Sequence, residues 1–213
     1  MPDIWSILDA TMGVLWIVTY TLVLIGSIKY GYPLIAPMAQ AIIAPYEFSV
    51  LFLMMKWGRF GMNYVSVAYL YWTLIEISII FVTIKSGFLK RRVPIYLSFI
   101  VLMTGVMFYL VTIKEYMLFF SYLNTFVGVA VWFIFILNKN YPMRPISLAI
   151  FCVKFLADIL SAILYIDEGG SFINILCILL PTLDFLFIIV YIKRMIELKQ
   201  RRRLCAEKQT MTI

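Results

Sequence analysis

Residues 93–113 read V-P-I-Y-L-S-F-I-V-L-M-T-G-V-M-F-Y-L-V-T-I, without a single charge, closed by Arg91 and Arg92 before and Lys114 after. As a helix rising 1.5 Å per residue, such a stretch crosses about 30 Å of hydrocarbon. The rest of the chain repeats the pattern. Apolar segments bounded by charged or turn-forming residues fall at about 11–28, 32–55, 64–84, 116–137, 146–166 and 171–192. In the 213 residues, 64% are hydrophobic and 14% are charged, where a soluble domain carries about 25% charged residues. Mean hydropathy is +0.98. A soluble domain of this composition would expose more apolar surface than water tolerates, and a disordered chain would be polar. The sequence therefore predicts an all-α integral membrane protein with seven transmembrane helices. Residues 1–192 form a single membrane domain, and 193–213 form a basic cytosolic tail.

Charge sets the expected orientation. Lys29, Lys85, Lys90, Arg91, Arg92, Lys139, Arg144 and the seven basic residues of the tail fall on one face, fourteen in all, against three (Lys56, Arg59, Lys114) on the other. The positive-inside rule puts the N-terminus outside and the C-terminus in the cytosol. The net charge of +7 thus reads as topology plus contact of the tail with anionic lipid, not as nucleic-acid binding. The first span has acidic flanks, Asp3 and Asp9, and does not resemble a cleaved signal peptide. Asp9 with Thr11 is an expected cap for the first helix, and Gly169-Gly170-Ser171 separates the last two. No internal repeat is visible.

Absent residues exclude several chemistries. There is no histidine, which removes imidazole metal sites and Ser/His or Cys/His catalysis. Cys152, Cys177 and Cys205 lack C-x-x-C spacing. There is no D-D-x-x-D run for a magnesium diphosphate, no P-loop and no G-x-S-x-G. Neither a metal nor an organic cofactor is implied.

Four of the eleven acidic residues lie well inside spans: Glu47, Glu76, Asp158 and Asp184. A charged side chain at the bilayer centre costs roughly 2.5–3.5 kcal/mol or more, so each must face protein or a cavity. Lys154 lies one turn before Asp158 and can neutralise it. Glu47, Glu76 and Asp184 have no cation on their own helix. A carboxyl buried in that way is held as the neutral acid and can donate a proton; the plainer alternative is an acid hydrogen-bonded between helices as glue. Pro45 precedes Glu47 by two residues and Pro181 precedes Asp184 by three. Prolines open the backbone ladder, and in a membrane such breaks survive only against protein or a cavity. With Pro33 and Pro37, Pro45 is expected to kink the second helix. Trp72 and Tyr46 stand within a turn of a buried acid, and Asn124 adds a polar group to the fifth span. Aromatic rings beside a strong acid suit carbocation chemistry, because ring faces attract cations.

These residues resemble a known family, the small seven-helix membrane terpene cyclases of fungal meroterpenoid and indole-diterpene pathways and their bacterial relatives. Three stretches carry the resemblance: Y-P-L-I-A-P-M-A-Q-A-I-I-A-P-Y-E-F at 32–48, W-T-L-I-E-I-S-I-I-F-V-T-I-K-S-G at 72–87, and Asn124 followed by R-P-I-S-L-A-I-F-C-V-K-F-L-A-D at 144–158. Asp184 with Tyr191 is similar to the acid of the family's last helix. Tyr46 stands where the family usually has Trp, and Glu76 where it usually has Asp. The resemblance implies protonation of a terminal epoxide or alkene on a prenyl chain, followed by cation–olefin ring closure. It implies Glu47 and Asp184 as the catalytic pair, with Glu76, Trp72, Tyr46 and Asn124 around the substrate. The partners are then a lipophilic prenylated small molecule and membrane lipids. The membrane would be the cell membrane in a bacterium or the endoplasmic reticulum in a fungus. A competing expectation from the same midplane acids is a small proton-coupled transporter or channel.

Overall fold

The computed structural model describes residues 4–56, 64–112, 117–137, 144–166 and 170–210. Over these residues the chain forms seven helices: α1 (Ile4–Tyr30), α2 (Pro37–Lys56), α3 (Tyr64–Lys85), α4 (Val93–Thr112), α5 (Met117–Leu137), α6 (Pro145–Tyr165) and α7 (Gly170–Thr210), with a 3-10 turn at Lys90–Arg92 leading into α4. All seven are long and apolar enough to cross a membrane. Their outer surfaces say the same: Ile95 is 72% exposed, Val101 71% and Ile134 69%. Helices apolar all round, with bare branched side chains facing outward, need lipid as the outer solvent.

Three boundaries differ from the sequence expectation. α1 begins seven residues earlier than expected, at Ile4, because Ile4, Trp5, Ile7 and Leu8 extend the apolar run. Asp9 and Thr11 therefore lie within the helix and do not cap it; the Thr11 hydroxyl donates to the Ile7 carbonyl at 2.7 Å. α2 starts at Pro37, not at 32. Residues preceding proline are pushed away from the helical region, so Tyr32 before Pro33 and Ala36 before Pro37 stay out of the helix in a bent link, while Pro37 is tolerated in the first turn. Gly31 makes the turn out of α1 at φ +68°, a conformation a Cβ would strain. Only Pro45 is interior to α2. Finally, α7 continues for 41 residues to Thr210, so the basic segment from Lys193 prolongs the last helix. Arg194 of this extension donates to the carbonyls of Ile136 and Leu137 at the end of α5, satisfying acceptors that a helix C-terminus leaves open. Arg59, Lys114, Lys139 and Gly169 lie outside the described residues.

The helices do not pack in chain order. α2 lies against α3, α4 and α5; α1 joins α3 to α6; α7 joins α6 to α5. The result is a ring α1–α6–α7–α5–α2–α3, with α4 outside against α2 and α5. α2 is the most enclosed helix, and its Ala39, Ala41 and Ala44 are buried. Small side chains let helix backbones approach where no hydrophobic drive between helices exists. Gly128 of α5 serves the same approach, since a Cβ there would sit 2.5 Å from Cγ1 of Ile43.

Two devices fix the lower half of the bundle, the half nearer the 31–36 link. Gln40 of α2 donates from Nε2 to the Glu76 backbone carbonyl (3.3 Å) and to Glu76 Oε2 (3.1 Å). Its Oε1 accepts from the hydroxyls of Thr83 (3.3 Å) and Tyr96 (2.8 Å), tying α2, α3 and α4 together. Across the bundle, Phe151 of α6 stacks on Phe187 of α7 at 4.9 Å between centroids and 17° between planes. Trp132 of α5 adds its ring 4.9 Å from Phe151. These rings fill the space between α5, α6 and α7.

Candidate functional site

Above the stacked rings, in the half of the bundle where α6 ends at Tyr165, the helices part around a cavity of about 440 Å³, partly open to the outside. Six of the seven helices contribute. α1 supplies Met12, Trp16 and Tyr20, spaced by four so that they share one helix face. α3 supplies Tyr69 and Trp72, and α6 supplies Asp158, Ser161 and Tyr165. α2 contributes Tyr46 and Glu47, directly after Pro45. The remaining wall is Ser121, Tyr122 and Thr125 of α5 with Leu180 of α7.

Several of these walls are held in place by polar contacts between helices. The Tyr122 hydroxyl donates to the Ser161 carbonyl at 3.0 Å, with the Ser161 hydroxyl 2.9 Å away. Tyr165 donates to Asp9 Oδ1 at 3.1 Å, closing α6 on α1. Two groups facing the cavity remain unmatched. Glu47 is buried and its Oε2 has no hydrogen-bond partner; the buried Nε1–H of Trp72 has none either. Both belong to residues of one cavity wall, and a buried polar atom without a partner is an exception that calls for a reason. A neutral carboxylic acid and an indole N–H are both donors, and both suit a ligand that offers an acceptor oxygen.

Asp158 of the cavity wall belongs to a buried ion triad. Lys154 of α6 donates to Asp158 Oδ2 at 2.5 Å and to both oxygens of Asp184 on α7, at 3.0 and 2.8 Å. All three residues are buried. The ammonium also lies 5.4 Å from the Trp16 ring centroid, so the cation that balances the acids is shared with an aromatic wall.

The sequence-derived site is thus partly reassigned. Glu47, Tyr46 and Trp72 line the cavity together. Asp184 does not: it is fully enclosed, and it is paired with Lys154, contrary to the expectation that it has no cation. A cavity bringing Glu47 and Asp184 together is not what forms; the acid that shares the cavity with Glu47 is Asp158. Glu76 belongs to the separate Gln40 network. Asn124 lies outside the cavity wall and donates from Nδ2 to the Ile43 carbonyl at 3.4 Å, clamping α5 onto α2 close to Pro45. The residues the sequence reading missed are Trp16, Tyr20, Tyr69, Tyr122, Ser161 and Tyr165. The stripe Met12–Trp16–Tyr20 and the run Asp158–Ser161–Tyr165 do sit at helical spacing, but polar and aromatic stripes in membrane helices are more often simple packing.

Comparison of the chain with protein-family models, with characterised proteins and with solved structures finds no match.

Proposed function

We propose that this chain is a membrane-embedded, acid-initiated terpene cyclase, and that Glu47 is the proton donor. The observation that carries the reading is the Glu47 carboxyl: buried, with one oxygen unpartnered, on a cavity walled by Trp16, Tyr20, Tyr46, Tyr69 and Trp72. An acid in that setting transfers its proton to the end of a prenyl chain. The orphaned Trp72 N–H on the same cavity wall favours an epoxide, whose oxygen accepts the proton and becomes the hydroxyl of the product. Breaking the C–O bond leaves a carbocation that the double bonds of the chain capture in turn, each π pair forming a new C–C bond. The surrounding ring faces stabilise that charge without reacting with it. The substrate is a lipophilic prenylated epoxide or polyene, which arrives through the bilayer. With the fourteen basic residues of one face in the cytosol, the cavity opens in the outer half of the membrane.

Glu47→Gln tests the reading. The amide preserves size and hydrogen bonding but is far too weak an acid to start the cascade. Membranes carrying the wild-type protein and supplied with a prenylated epoxide should yield cyclised product, and Glu47→Gln membranes should lose it by orders of magnitude while keeping protein level. Wild-type membranes that bind the compound unchanged, together with proton flux in liposomes that the same mutation abolishes, would replace the cyclase with a proton-coupled carrier.

A further inference from the structure

Glu47 and Asp158 face one cavity from α2 and α6, which stand across the helix ring from each other, with α3 and α1 between them on one side and α5 and α7 on the other. A cascade that begins by gaining a proton and ends in an alkene must lose a proton to a base at its far end. That base has to face the cavity, carry a lone pair and be held still. We infer that Asp158 is this base: the carboxylate that ends the cascade by taking a C–H proton from the last carbocation. The inference rests on the cyclase reading and adds a second catalytic residue to it.

The geometry separates Asp158 from the other buried acids. Glu76 is engaged by Gln40 away from the cavity. Asp184 is enclosed behind Lys154, holding the ammonium through both of its oxygens. Asp158 alone combines a place in the cavity wall with an ion pair. A C–H bond next to a carbocation is so strongly acidic that a carboxylate suffices as the base. The ion pair with Lys154, one turn away on the same helix, holds the Asp158 carboxylate in place.

The step balances. The Glu47 O–H proton goes to the epoxide oxygen, and the C–O pair stays on that oxygen. After ring closure, an Asp158 oxygen takes the proton from the carbon beside the last cation, and the C–H electron pair becomes the new C=C bond. Asp158 then carries a proton taken from the substrate, and Glu47 lacks the one now in the product hydroxyl. Transfer of the Asp158 proton to Glu47 across the shared cavity after product release restores both groups, so the net reaction is an isomerisation that consumes nothing.

The experiment compares product ratios, which a purely structural role would not change. Full-length wild-type, Asp158→Asn and Asp184→Asn proteins are reconstituted in nanodiscs with a prenylated epoxide, and products are resolved by gas chromatography and mass spectrometry. Asp158→Asn leaves Lys154 paired one to one with Asp184, and Glu47 still initiates. Substrate should still be consumed, but the wild-type alkene should fall at least tenfold relative to water-trapped alcohols and shifted alkene isomers. Asp184→Asn should keep the wild-type ratio whatever its rate. An unchanged ratio in Asp158→Asn, or the shift appearing in Asp184→Asn instead, overturns the assignment while the cyclase reading stands. An inert wild-type protein overturns both. If Asp158→Asn does not accumulate, Asp158→Glu keeps the ion pair and moves the carboxylate by one methylene. It should then redistribute the double-bond isomers, and an unchanged distribution is likewise fatal to the assignment.

Discussion

Lys154 reaches from α6 to α7 and grips Asp184 through both carboxylate oxygens, at 3.0 and 2.8 Å, while holding Asp158 one turn along its own helix at 2.5 Å. One buried cation therefore serves two acids, and the count of charges decides how the bundle responds to substitution. Lys154→Met strands both acids and should destabilise the protein by about 3–5 kcal/mol. Asp158→Asn or Asp184→Asn leaves a balanced pair and should cost less, about 1–3 kcal/mol. Removing Lys154 with Asp158 alone should rescue little, because Asp184 stays uncompensated; the triple change to Met, Asn and Asn should recover most of the loss. Unfolding in mixed micelles measures all five variants, and a Lys154→Met protein as stable as wild type would show that the ammonium is not needed there.

Glu76 is the control for Glu47. Its Oε2 accepts from Gln40 and its Oε1 has no partner, so Glu76→Gln can keep the accepting oxygen and place its amide at the unmatched position. Stability should change by less than about 1 kcal/mol, and product formation should stay at the wild-type level. Gln40→Leu, by contrast, strands the hydroxyls of Thr83 and Tyr96 and should cost about 1–3 kcal/mol for each group left unpaired. A collapse of activity in a stable Glu76→Gln protein would move Glu76 into the reaction.

The aromatic cavity should prefer a cation to its neutral twin. Geranyltrimethylammonium and the hydrocarbon with carbon in place of nitrogen have nearly the same shape. Titrated against tryptophan fluorescence, the ammonium should bind about tenfold more tightly, in keeping with a desolvated cation–π contribution of about 1–2 kcal/mol. Trp16→Leu and Trp72→Leu should each narrow that gap. Equal affinity for both compounds would remove the argument that the rings are there to hold positive charge.

Orientation is checked by cysteine labelling in intact cells. A single cysteine placed in the 31–36 link should label only from the cytosol, and one placed at 167–169 only from outside, with native cysteines replaced. Labelling of both positions from the same side would contradict a bundle in which α1 ends and α6 ends at opposite faces.

The helices were legible in the sequence because lipid imposes a hard requirement: about 20 apolar residues, closed by charge. Segments such as 93–113 satisfy it with no tertiary information. The acids were legible for the same reason, since Glu47, Glu76, Asp158 and Asp184 are each too expensive to leave against lipid. Their partners were not. The i, i+4 spacing displays Lys154–Asp158 directly, but Lys154–Asp184 spans thirty residues and depends on how α6 and α7 are rotated against each other, which an all-apolar surface does not reveal. Pro45 beside Glu47 and Pro181 beside Asp184 look alike in sequence. Only the packing of the ring turns the first acid into a cavity and the second into an ion pair. The start of α2 is not legible because three prolines in an apolar run read as one kinked helix: Pro33 and Pro37 turn the residues before them out of the helix, whereas Pro45 is accommodated inside it.

The stacked rings of Phe151 and Phe187, with Trp132 against them, fill the bundle on the 31–36 side of the cavity. On the cyclase reading, a chain longer than the pocket would go in end first, its remainder trailing among the lipid tails. Such a site would inspect the leading end of its substrate, strict about the last few carbons and tolerant of the head group left outside.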